Sequence, residues 1–176
     1  MEIPFQLIFS LILIAAFIYA AGIGIKYFIV TAELAKTNLF ITQLNSDVNT
    51  IWISNSEAAK PFEYALPSSI KYVCFNQPNN LSQTSLNTLK SRDNITACSD
   101  FGIYISSFKN NDKSPNMFFC PSASALKISA PIYASINCKG KNCLEFSKSP
   151  YCVQNIGGNV KITLTKEYGA EKIQLT

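Results

Sequence analysis

The 176-residue sequence contains no histidine. No imidazole is therefore available as an acid, base or metal ligand, and neither a Ser-His nor a Cys-His nucleophile can be built. Its acidic residues, 11 in all, are spread singly, and none is spaced as a catalytic pair. No glycine-rich phosphate loop is present, and Ile156-Gly157-Gly158-Asn159 reads as a turn. Ser147 precedes Lys148, but adjacency in sequence does not make a Ser-Lys catalytic pair. The expectation is a protein that is not an enzyme and takes no cofactor or metal.

Charge is also missing where membrane-targeting sequences normally carry it. The flank is Met1-Glu2-Ile3-Pro4, and the first basic residue is Lys26. An ordinary secretory signal or signal anchor has lysine or arginine ahead of its apolar run, so a positive-inside argument orients this chain poorly. Either a basic leader has been removed ahead of Met1 or insertion follows another route. A cleavable signal, with Ala20, Ala21 and Gly22 near the cleavage point, is the alternative; the apolar run is longer than such signals usually have.

Proline is absent between Pro4 and Pro61. Pro4 suits a first helical turn, where its missing N–H costs nothing. Leu7 to Ile25 is apolar apart from Ser10 and Tyr19, and as a helix it spans about 28 Å, one bilayer core. Beyond it Leu34, Ile41, Leu44, Val48 and Trp52 recur at helical spacing, with Lys36, Asn38, Asn45 and Asp47 off that stripe. One helix is expected, its first half in lipid and its second half laid on a soluble partner. Ala16, Ala20 and Gly24 are spaced to let like helices approach closely, with Leu7 and Leu11 on the same apolar segment; ordinary membrane composition accounts for them equally.

Cysteine is absent from the helix and concentrated after it. Cys74, Cys98, Cys120, Cys138, Cys143 and Cys152 follow the apolar segment in an even count, as expected of disulfides in an oxidising, extracytoplasmic space. Zinc is a weak rival without histidine or a Cys-x-x-Cys pair. Fifteen pairings are open to six cysteines; Cys138–Cys143 is the most local of them. The net charge of +4 is scattered without a basic run, which argues against nucleic acid. Asn80-Leu81-Ser82 and Asn94-Ile95-Thr96 are glycosylation sequons in a polar stretch.

The remaining 120 or so residues suffice for one domain. Phe62–Leu66 and Ile70–Phe75 flank Pro67-Ser68-Ser69 as an expected hairpin. Phe101–Phe108, Met117–Cys120 and Leu126–Ile136 supply further short strands, the last interrupted by Pro131. Val160, Ile162 and Leu164 alternate with Lys161, Thr163 and Thr165, a strand with one face in the core. Joined by turns to Tyr151–Asn155 and Glu171–Leu175, it closes an antiparallel meander. A sheet with one apolar face and a helix with one apolar stripe cover each other. The expected fold class is α+β: a hydrophobic, transmembrane helix over residues 1–30, its amphipathic continuation over 31–56, and a disulfide-bearing β head over 57–176.

The apolar helix opening Met-Glu-Ile-Pro-Phe, its proline-free amphipathic continuation and the cysteine-rich β head resemble type IV pilins, in particular archaeal pilin-like proteins. Leu66-Pro67, Lys71-Tyr72-Val73-Cys74-Phe75 and Pro150-Tyr151-Cys152-Val153 share that resemblance. It implies a leader removed by a dedicated peptidase, helices bundled into a filament core, and heads forming the outer wall for adhesion or cell contact. The partner implied is the chain itself, after a membrane-anchored stage. In bacterial pilins a glutamate near the mature N-terminus offsets a neighbour's terminal amine; Glu2 resembles it in type and approximate place, though a plain macrodipole role at the helix start serves as well. A monomeric, membrane-anchored ectodomain that binds a ligand or partner is the other expectation.

Overall fold

The computed structural model describes residues 5–54, 57–75, 116–120, 133–134, 136–138, 143–146 and 151–176. A single helix, α1 (Phe5–Ile53), runs for 49 residues, about 73 Å. With no proline to remove an N–H, its ladder continues unbroken. Thr31, Thr37, Thr42 and Thr50 each donate a hydroxyl hydrogen bond to the carbonyl four residues earlier, so their polarity is satisfied inside the helix. Eight strands follow: β1 (Ala58–Ala65), β2 (Tyr72–Phe75), β3 (Met117–Cys120), β4 (Tyr133–Ala134), β5 (Leu144–Phe146), β6 (Tyr151–Gln154), β7 (Asn159–Lys166) and β8 (Ile173–Leu175).

The strands form two four-stranded sheets, ordered β1-β7-β8-β5 and β4-β3-β2-β6. The architecture is α+β, as the patterning predicts. It differs from a simple antiparallel head in two respects: there are two sheets, and β5 pairs with β8 in parallel. The helix packs on β1, β7 and β8. Its buried side chains are Thr37, Phe40, Leu44, Val48 and Ile51, while Leu34, Ile41 and Trp52 are only half-buried. The stripe is thus rotated from the one that hydropathy alone suggests, because Phe40 fills the space between the sheets. Its ring meets Tyr64 of the first sheet edge-on at 5.4 Å and Phe119 of the second at 5.9 Å.

The alternation in β7 holds throughout: Val160, Ile162, Leu164 and Lys166 are buried, and the residues between them are exposed or half-buried. Antiparallel pairing to β8 closes the chain as predicted. Pro61 sits in β1, an edge strand paired only with β7 among the described residues, which is where a missing N–H is tolerated.

Two of the expected strand pairings do not form, that of Phe62–Leu66 with Ile70–Phe75 and that of Tyr151–Asn155 with β7. The turn after Pro67 forms, with Ile70 N–H donating to Pro67 O at 3.1 Å, but β1 pairs with β7 and β2 pairs with β3 and β6. Likewise Ile156–Asn159 closes a tight turn with Gly157 at φ 63° and Gly158 at φ 92°, yet it leads from β6 in one sheet to β7 in the other. The two chain passages cross between sheets side by side. Leu66 N–H donates to Gly158 O at 2.8 Å and Asn155 N–H to Lys71 O at 2.8 Å. The Asn155 side-chain amide, buried, donates to Pro67 O at 2.9 Å and Ile70 O at 2.7 Å. These bonds replace the ladder a hairpin would have supplied. A Cβ on Gly158 would stand in ordinary van der Waals contact with Leu66 O at 3.4 Å, so the positive φ rather than lack of space calls for glycine there.

Cys74 and Cys152 face each other across β2 and β6 and are disulfide-bonded over a sequence separation of 78; closing so long a loop restricts the unfolded chain by about 4 kcal/mol in the chain-entropy account. Cys138 and Cys143 are also bonded to each other, and Cys120 is disulfide-bonded. Cys98, the sequons at Asn80 and Asn94, and the segments Phe101–Phe108 and Pro131 lie outside the described residues, as does Glu2.

The packing predicts that Phe40→Ala lowers stability of the full chain in detergent by about 3–5 kcal/mol, whereas Leu39→Ala, at a side chain 55% exposed, stays within about 0.5 kcal/mol. Denaturant unfolding followed by circular dichroism of the head distinguishes them. Asn155→Ala, which takes the side-chain donor from the buried Ile70 carbonyl and leaves Pro67 O with the Ile70 N–H alone, costs about 1–3 kcal/mol by the same measurement.

Candidate assembly surface

The same helix that packs into the head from Thr37 onward is bare up to Ile29. Every side chain from Leu7 to Ile29 is exposed, including Phe17, Ile18 and Tyr19. Consecutive helical residues point about 100° apart, so the apolar surface faces all directions and no single docking stripe would cover it. It is the one helix among the described residues long and apolar enough to cross a membrane. Leu7, Leu11, Ala16, Ala20 and Gly24 all lie on this surface, and a Cβ on Gly22 or Gly24 would meet nothing within 4 Å. Ala16, Ala20 and Gly24 follow one another at four-residue steps along one face, where a second helix backbone can approach.

Head and helix are held in fixed relation by polar ties as well as by the core. No basic residue lies in the last turn of α1. Lys166 supplies the cation instead: from the inward face of β7 its ammonium donates to Trp52 O at 2.6 Å and Ser54 O at 2.7 Å, satisfying carbonyls at the negative end of the helix dipole. Trp52 Nε1 donates to Glu171 O at 3.3 Å. Midway, Asn49 Nδ2 donates to Asn137 O at 3.2 Å, and Asn137 N–H donates to Asn45 Oδ1 at 3.3 Å. Tyr64 OH donates to Asp47 Oδ2 at 2.9 Å. Burial, and then the Asp47 carboxylate at its hydroxyl, push the Tyr64 phenol far above the usual tyrosine range.

Sequence reasoning missed these ties. For Lys166 a signal existed: it continues the two-residue phase of Val160, Ile162 and Leu164, so a lysine occupies an inward position. For Asn45 and Asp47, placed off the apolar stripe, and for Asn49, nothing in the sequence names a partner.

The head also has a cleft of about 420 Å³ at the corner between the sheets, lined by Glu63, Val153, Gln154, Ile156, Asn159 and Lys161. Lys161 and Glu63 stand 3.9 Å apart on its rim with both side chains largely in water, a pair worth little.

Comparison with protein-family models, with curated proteins and with solved structures finds no match to the chain.

Tyr64 makes alkaline stability measurable. In the unfolded chain its phenol ionises near pH 10, whereas in the folded head it holds its proton to higher pH. The unfolded state loses the proton first, so its contribution is intact below about pH 10 and falls by about 1.4 kcal/mol per pH unit above it. Denaturant midpoints at pH 9 and pH 11 are expected to drop more for the wild type than for Tyr64→Phe.

Proposed function

We propose that this chain is a structural subunit of an extracellular type IV pilus-like filament. It polymerises through its N-terminal apolar helix and presents the β-rich head outward for adhesion or cell contact. Before assembly the helix anchors it in the membrane; afterwards its partners are other copies of the same chain. Asn80 and Asn94 are the candidate glycan positions on the outer wall.

One observation carries this reading: a single unbroken helix is bare from Leu7 to Ile29 and locked into the head from Thr37. The bare stretch from Leu7 to Ile29 is about 33 Å long, close to the hydrocarbon core of about 30 Å, and the rigid helix continues beyond it into the head. Tyr27, Phe28 and Ile29 lie beyond Lys26 and are as exposed as the residues before it. Lipid covers such a surface in the anchored subunit, and staggered copies of the same helix take its place in the filament. A monomeric tethered ectodomain is the second reading. It accounts for the span, but it gives no reason for a stiff continuation joined to the head by four sets of hydrogen bonds.

Electron microscopy of material sheared from cells producing the chain, with mass spectrometry of the fibres, tests the proposal. Fibres composed of this chain are the expected result; protein retained entirely in the membrane fraction, with no fibres, supports the tether instead.

A further inference from the structure

Four charged side chains lie on α1 within its described length: Lys26, Glu33, Lys36 and Asp47. Asp47 is engaged inside the chain by Tyr64. Lys26 is the only charge between Leu7 and Ala32 and stands in the middle of exposed apolar surface, with Ile25 on one side and Tyr27 and Phe28 on the other. In the membrane-anchored subunit its ammonium reaches the headgroups on its long stem. Once neighbouring helices replace lipid and water around it, an unpaired ammonium is strongly unfavourable, and a carboxylate has to be brought to it.

Among the described residues no carboxylate of the same chain stands beside it. Glu33 is seven residues on, within about 20° of the same face but about 10.5 Å farther along the axis. Among the described residues neither Lys26 nor Glu33 makes an ion pair, and Glu33 is half-buried. A parallel copy displaced by those seven residues puts its Glu33 level with Lys26. At the 8–10 Å separation of packed helices, a lysine stem spans the gap. An antiparallel copy would match the charges too, but subunits inserted in one membrane with their heads on one side are parallel.

We infer that the Lys26 ammonium of one copy pairs with the Glu33 carboxylate of the next, fixing the axial stagger between adjacent helices at seven residues, about 10.5 Å. This rests on the filament reading and deepens it. The contact is heterologous, and a displacement along the axis prevents closure into a ring, so repetition generates an open helical polymer. The pair is a register device: apolar helices slide past one another at little cost, and one buried charge pair makes a single offset preferable.

The test uses fibres and charge exchange together. In native fibres, zero-length carbodiimide coupling followed by mass spectrometry is expected to give a Lys26–Glu33 cross-link; coupling that yields only Glu33–Lys36 links within one helix overturns the pair. In cells, Lys26→Glu and Glu33→Lys are each expected to reduce sheared fibres by about tenfold with protein retained in the membrane fraction, and the double exchange K26E/E33K to restore them to within about twofold. Single variants that make fibres at the wild-type level, or a double variant no better than the singles, overturn the pair while leaving the filament intact. Wild-type cells without fibres overturn the filament reading itself.

Discussion

Phe40, Leu44, Val48 and Ile51 leave water against two sheets at once, and the rest of the head is arranged around that contact. The two sheets also meet each other directly, Phe75 of β2 stacking on Phe146 of β5 at 5.9 Å, and the helix adds a contact to each. Phe40 is its centre, touching Tyr64 on one side and Phe119 on the other. At about 25 cal/mol per Å² the apolar burial is the dominant favourable term, and its position on the helix decides how much of α1 remains bare.

The polar contacts then fix what the apolar ones leave free. A helix on a sheet can slide or rotate with modest loss of burial, because apolar contact is non-directional. Lys166 on the terminal carbonyls, Asn45 and Asn49 on Asn137, and Asp47 on Tyr64 are directional, and they sit at the end, middle and flank of the packed segment. Asn155 does the same for the sheets, holding two adjacent crossings through its backbone N–H and side-chain amide. Asn116 repeats the device, exchanging both side-chain hydrogen bonds with the backbone of Ile136 in place of a strand neighbour.

The consequence is a stiff object with a bare apolar rod at one end. In the proposed filament the rods would be interchangeable in rotation and depth were they purely apolar. The lone cation at Lys26, with Glu33 two turns above it, supplies the asymmetry from which an axial register can come. The head contributes by standing rigidly on the same helix, so that a register set in the core is transmitted to the outer wall.

The α+β class, the proline-free helix, its bare first half and the inward face of β7 were legible in the sequence, because each depends on a local period or on the absence of a helix breaker. Which strand pairs with which was not. Pro67-Ser68-Ser69 and Gly157-Gly158 have turn chemistry that fits a hairpin and a crossing equally well, and only the pairing of β1 with β7, and of β2 with β3 and β6, decides between them. The disulfide pairing likewise depended on β2 and β6 being neighbours. Sequence settled what each segment must bury; tertiary structure settled against what, because pairing energies are shared among distant segments and no local pattern records them.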